Sequence, residues 1–179
     1  MFTVADSIEL VNRPGLQAAS IQRSLYVRLQ RGDIPAKNLI HNGKQIFDLN
    51  LEDVCAFAIL HTFGRMGNTS GSTVSEAAKI ALYNWNGVGP NLSDKFKTPL
   101  AWAIAEIRAA SSHMLISVYL AHDFVEGEDV IVASVFTADE PQIPNFEVAR
   151  SSLCLNDLLA PIIKAADAMQ SKKIGVRLQ

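Results

Sequence analysis

The sequence predicts an α+β protein in two parts. A helix, turn, helix, hairpin and helix occupy the first third, followed by helices, a small and mainly antiparallel sheet and a closing helix. Three observations carry this. Asn42-Gly43 stands between two short extended runs, a strong hairpin signal because both central positions of a type I′ turn need positive φ. The run Gly64 to Thr73 (GRMGNTSGST) has the composition of a linker and separates residues 1–66 from residues 73–179. Beyond it, helical apolar spacing gives way to two strand-like runs, His113 to Ala121 and Asp129 to Thr137, the second near-continuously apolar as in a buried strand.

The first part reads in order as follows. Thr3 precedes Val4, Ala5, Ile8, Leu10 and Val11, with Asp6 three residues after it, which makes a cap and a short helix. Asn12-Arg13-Pro14-Gly15 breaks that helix. A second helix runs from about Gln17 to Gln30, with Ala18, Ile21, Leu25 and Leu29 on one face. Its opposite face carries Ser20, Arg23, Val27 and Gln30, bordered by Ala19 and Tyr26. Gly32 stops the helix and Asp33-Ile34-Pro35 turns the chain. Lys37 to Ile40 and Gln45 to Leu49 then flank His41-Asn42-Gly43-Lys44. Asn50 caps a third helix whose first turn holds Glu52 and Asp53, favourable near the positive end of a helix dipole. Leu51, Val54, Cys55, Ala58, Ile59 and Phe63 form its apolar stripe.

In the second part, Val74 to Trp85 reads as a helix packed through Ala77, Ala78, Ala81, Leu82 and Trp85, and Asn86 to Asn91 as a turn. Ser93 is the expected cap of a helix whose regular part is Leu100 to Ala110. The acidic connector His122 to Glu128 joins the two strands, Pro141 and Pro144 mark a loop, and Phe146 to Leu155 is a third strand. Asn156 caps a helix from Asp157 to about Met169, with Pro161 in its first turn or so. The tail bearing Lys172, Lys173 and Arg177 is expected to fray.

Composition narrows the function classes. The 179 residues are 49% apolar and 19% charged, ordinary for a globular protein able to bury a core. The opening MFTVADSIELV lacks a basic n-region, and no apolar run reaches about 18 residues, so neither a secretory signal nor a membrane span is expected. A cytoplasmic, nucleoid-associated protein is the expectation. Cys55 and Cys154 each sit in apolar runs and read as buried thiols, with a redox switch as the lesser alternative.

Catalytic and metal chemistry leaves little trace. Gly87-Val88-Gly89-Pro90 lacks the Gly-Lys-Ser/Thr ending of a phosphate loop and reads as a turn. His122 and Asp123 point apart on a continuing strand, which disfavours an acid-base pair with His113. His41, His61, His113 and His122 are not at metal-ligand spacing. Asp123, Glu126, Glu128 and Asp129 lack the ligand spacing of a calcium loop. No enzyme activity, cofactor or metal is expected.

Charge points elsewhere. Residues 13–44 hold six basic side chains (Arg13, Arg23, Arg28, Arg31, Lys37, Lys44) against one acid, Asp33, and carry +5. Residues 1–12 carry −2 and residues 45–179 carry −5, for a formal net charge of −2. Local positive charge on a helix and hairpin is the footprint of a surface that meets phosphate. Helix, turn, helix, hairpin, helix is also the winged-helix order. Leu25-Tyr26-Val27-Arg28-Leu29-Gln30-Arg31-Gly32-Asp33-Ile34-Pro35-Ala36, with Asn42-Gly43-Lys44, Phe47 and a helix starting at Leu51, resembles the winged helix-turn-helix of the MerR and phage excisionase superfamily over residues 2–62. In that superfamily a recognition helix ends in an Arg-Gly-x-Ile-Pro-like turn and leads into the wing. The chain departs from it in the Pro14 turn, in Leu25-Tyr26-Val27-Arg28 where activators have an Arg-Tyr-Tyr-like sequence, and in lacking a metal-sensing cysteine arrangement.

The expectation is a dimeric, sequence-specific transcriptional regulator, such as a repressor, of double-stranded DNA. Ser20, Arg23, Val27 and Gln30 form the recognition face, with Arg28, Arg31, Lys37, His41, Asn42 and Lys44 on or near the backbone. Arg28 lies near the buried stripe, which also fits snorkelling or pairing with an acid of the first helix. The C-terminal domain would dimerise the chain and is the place for a small-molecule or protein effector. The alternatives are an excisionase-like architectural factor that bends DNA and a protein-interaction adaptor.

Overall fold

A computed structural model describes residues 1–12, 18–66, 71–85, 90–123, 126–139 and 147–177. Among them the chain is α+β, with two antiparallel sheets. It divides into two compact units, one of residues 1–61 with 161–179, the other of residues 62–160. The expected division at the Gly64–Thr73 linker differs in two respects. Helix α3 (Leu51–Met66) continues through Gly64, and α4 (Gly71–Tyr83) begins inside the Gly/Ser run; residues 67–70 lie outside the described residues. The last stretch of chain also belongs to the first unit. Lys173 pairs with Asp6 at 2.7 Å and lies 5.9 Å from the centre of the Phe2 ring, so the tail expected to fray is helical to Arg177 and held at Lys173.

The first unit follows the sequence closely. Helix α1 (Val4–Val11) starts on a capping box: Asp6 N–H donates to Thr3 Oγ1 at 3.1 Å and Thr3 N–H to Asp6 Oδ2 at 2.8 Å. Helix α2 (Ala18–Arg31) buries Ile21, Leu25 and Leu29, whereas Ala18, expected on that face, is exposed. It ends on Gly32 at φ +70°. There Gly32 N–H donates to Leu29 O and Asp33 N–H to Arg28 O, the paired bonds of a Schellman motif. Strands β1 (Lys37–His41) and β2 (Lys44–Asp48) pair antiparallel, with His41 opposite Lys44. Asn42 (φ 50°) and Gly43 (φ 72°) form the turn, as a type I′ hairpin requires. Phe2 and Leu49 exchange two backbone bonds, at 2.7 and 3.0 Å, tying the chain start to the end of the hairpin. Helix α3 opens on a second reciprocal cap between Asn50 and Asp53, at 2.8 and 2.9 Å. Phe2, Leu49, Val54, Phe57 and Leu60 complete the core.

The second unit sets α4, α5 (Pro90–Ser93) and α6 (Pro99–Ala109) with a three-stranded sheet of order β4-β3-β5. Its strands are β3 (Met114–Asp123), β4 (Glu128–Thr137) and β5 (Glu147–Cys154), and α4 packs on β4 and β3. Met114, Ile116, Val118, Ala133 and Val135 fill one sheet face. On the other face Ser117 Oγ lies 2.6 Å from the exposed Ser152 Oγ, and Tyr119 Oη lies 3.1 Å from Ser134 Oγ, so the buried Ser117, Tyr119 and Ser134 hydroxyls each have a partner. Cys55 is buried and Cys154 half-buried, both as free thiols.

Three expectations for this region change. Thr98, not Ser93, caps α6: its hydroxyl accepts from Ala101 N–H at 3.0 Å, and Pro99 follows at the position where a missing N–H costs nothing. Trp85 lies beyond the end of α4, yet its ring packs 6.1 Å from Trp102 and its indole N–H reaches Phe96 O at 3.2 Å. Helix α7 (Leu155–Arg177) begins directly after β5, so Asn156 is no cap. Its amide instead accepts from Met114 N–H at 2.7 Å and donates to Ser112 O at 3.1 Å, fixing the start of β3. Pro161 therefore falls beyond the first turn, where it removes the helical donor for the Asp157 carbonyl, and the division between the units falls at this residue. Arg13, most of the Asn12–Gly15 turn, Gly87-Val88-Gly89, Pro141 and Pro144 lie outside the described residues.

Candidate nucleic-acid interface

The outward stripe of α2 follows from the spacing of its apolar residues. With Ile21 and Leu25 wholly buried and Leu29 nearly so, the side chains at 20, 23, 27 and 30 share the opposite side at about 100° per residue. Ser20, Arg23 and Gln30 are exposed, and Val27 is 37% exposed among them. Tyr26 borders the stripe and meets Phe47 edge-on, with ring centres 6.5 Å apart and planes at 67°, so the helix is braced against β2. Arg31, at the helix end, and Lys37, at the start of β1, are also exposed. Among the described residues no acid pairs with Arg23, Arg31 or Lys37.

Arg28 does not share their exposure. Its side chain is only 13% exposed. One guanidinium nitrogen donates to Leu60 O at 2.8 Å, and another lies 3.6 Å from Asp33 Oδ2. Burial pushes the guanidinium below its ordinary pKa, while the Asp33 carboxylate acts in the other direction. The residue does pair with an acid, but with the one in the turn just after its own helix rather than with one in α1. A second tie runs alongside, where Ser24 Oγ lies 3.1 Å from His61 Nδ1 and the His61 ring packs 5.5 Å from Phe57. Two consecutive residues of α3, Leu60 and His61, thus hold α2 by polar contacts and fix which way its outer stripe faces.

The hairpin places Asn42, exposed, in its turn, and His41 and Lys44 as the facing pair that closes it. It also presents apolar surface that a reading based on charge overlooks. Ile40 is 82% exposed, and the facing pair Leu39 and Ile46 are 39% and 42% exposed. The signal was present in the adjacent Leu39-Ile40: neighbours on a strand point to opposite faces, and a two-stranded hairpin has only one face to pack.

The cap carboxylates of this unit differ in setting. Burial alone would raise Asp6, but hydrogen bonds from Lys173 and Thr3 outweigh it and hold the carboxyl below its ordinary range. Burial raises Asp53, with smaller contributions from Glu52 and Asp48 and partial relief from the Asn50 N–H. Among the described residues no three His, Cys, Asp or Glu side chains converge as a metal set, and no helix is long and apolar enough to cross a membrane. What the surface offers is fixed positive charge, amide and hydroxyl groups on one helix stripe, and a braced hairpin beside it. Comparisons with protein-family models, with curated proteins and with solved structures each find no match.

Proposed function

We propose that the chain is a sequence-specific DNA-binding transcriptional regulator of winged helix-turn-helix type, acting as a homodimer. In this reading α2 enters the major groove and the β1–β2 hairpin lies on the backbone or along the minor groove. The observation that carries it is the outward stripe of α2. Ser20, Arg23, Val27 and Gln30 form a compact exposed row of groups suited to base edges, since arginine bonds guanine O6 and N7 as a pair, glutamine bonds adenine, and an aliphatic side chain meets the thymine methyl. Arg31 at the end of α2 and Lys37 at the start of β1 are exposed and suit phosphates, and the hairpin turn adds Asn42 between His41 and Lys44. A second copy on a palindromic site would double the phosphate contacts available to one module.

A second reading, an architectural factor that bends DNA, draws support from the exposed Ile40. Apolar side chains carried on an extended arm can wedge between base steps of the minor groove and kink the duplex. Fluorescence anisotropy on the DNA upstream of the chain's own gene and on a random duplex, each at several salt concentrations, tests the first reading. Tighter binding to the upstream DNA, with both affinities falling as salt rises, supports it. Absence of binding to either duplex at low salt refutes both readings. A bend-angle measurement by energy transfer separates them, because an unbent site counts against the architectural one.

A further inference from the structure

We propose that strand β4 pairs with the β4 of a second copy about a two-fold axis, joining the two three-stranded sheets into one six-stranded sheet. This rests on the second unit alone and not on DNA binding. In the order β4-β3-β5, β4 is an outer strand, and among the described residues β3 is its only strand partner. Ten residues long, it runs EDVIVASVFT with no lysine, arginine or proline, and Val130 and Val132 are each 38% exposed. Unpaired edges are ordinarily guarded by charged side chains, above all lysine, by proline, by bulges or by a covering helix or loop. The other outer strand has one such guard, since the pairing of β5 with β3 shifts register between Leu120 and Ala121. The pairing of β4 with β3 runs without a shift.

Charge selects the direction of pairing. The only charged residues of β4, Glu128 and Asp129, are both acidic and both at its start. A parallel copy would set these acids side by side, whereas an antiparallel copy carries them to opposite ends, Glu128 against Phe136 and Asp129 against Val135 of the partner. Side chains directly opposite in an antiparallel pair lie on the same sheet face. The exposed Val132 can therefore sit across the axis from its own counterpart, with Val130 opposite Ser134 of the other copy. Isologous pairing of this kind closes after two chains and leaves no further β4 edge open.

Light scattering coupled to size exclusion on the full chain, without DNA, tests the proposal. The expected result is twice the chain mass for the native protein and for Val132→Ile, and the single chain mass for Val132→Lys, which sets two like charges opposite each other on the axis. Circular dichroism verifies that the lysine variant is folded. Cysteine cross-linking in a Cys154→Ser background reads the register independently: Val132→Cys is expected to form an intermolecular disulfide on oxidation. Val130→Cys is not, because the two copies of residue 130 would be about 13 Å apart at the strand rise, beyond disulfide reach. A monomeric native protein, a dimer that survives Val132→Lys, or cross-linking at residue 130 as fast as at residue 132 would overturn the proposal.

Discussion

Two arginines of α2, five residues apart in sequence, occupy opposite environments. Arg23 stands exposed in a row of uncharged groups, and among the described residues no acid pairs with it. Arg28 is folded into the turn, bound to the Leu60 carbonyl and beside Asp33. The difference comes from helical angle alone. Position 28 falls beside the stripe of Ile21, Leu25 and Leu29, where a long side chain can be desolvated only if its charge finds partners. Position 23 falls opposite that stripe, where the charge stays solvated and available. A count of basic residues gives both the same weight, whereas in the structure one makes contacts within the fold and the other is exposed.

That contrast can be broken in graded ways. The largest expected effect is at the stripe that sets the angle: Leu25→Ala should cost about 2–5 kcal/mol in urea unfolding through the cavity it leaves. Arg28→Ala should follow with a loss of about 2–4 kcal/mol, somewhat below a fully buried pair because both side chains retain slight water contact. Among molecules that remain folded, DNA affinity should then change little. If Arg28→Ala instead leaves the unfolding midpoint unmoved and weakens DNA binding, the division between the two faces fails. Asp53→Ala removes one half of the α3 cap and should cost about 0.5–2 kcal/mol by the same assay.

Arg23→Ala should alter stability by less than about 0.5 kcal/mol, as exposed substitutions generally do, yet erode sequence preference by about 1–3 kcal/mol. The smallest effect concerns pH. The carboxyl of Asp6 is held below its ordinary pKa in the folded chain, so its contribution is fully present above the unfolded value of about 4 and is lost as pH falls through the folded one. Asp6→Asn should flatten the acid limb of the stability curve in that window, as measured by thermal unfolding from pH 5 downward.

Much of the first unit was legible because its signals are local. Thr3 with Asp6, Asn50 with Asp53, Gly32 and Asn42-Gly43 each specify a cap or turn within four residues, and all four form. The outer stripe of α2 was legible for the same reason, since periodicity names the buried side and therefore its opposite. What escaped depends on contacts distant in sequence. Asn156 has the chemistry of a cap, yet its amide is occupied by Met114 and Ser112, more than forty residues earlier. Lys173 looked like frayed tail because Asp6 is 167 residues away. The Gly/Ser run at 64–73 reads as linker by composition, but apolar neighbours such as Phe63 and Ala78 are buried on the flanking helices and extend helix into it from both sides.

The most direct test of the central claim is the ratio of affinities for specific and random duplex in wild type, Arg23→Ala and Arg28→Ala, by fluorescence anisotropy at fixed salt. The prediction is a ratio that collapses in Arg23→Ala by about one to two powers of ten, as the loss of one base contact implies, and holds in folded Arg28→Ala. A ratio unchanged in Arg23→Ala, or lowered equally in both variants, would contradict the assignment of the outer stripe of α2 as the surface that reads DNA.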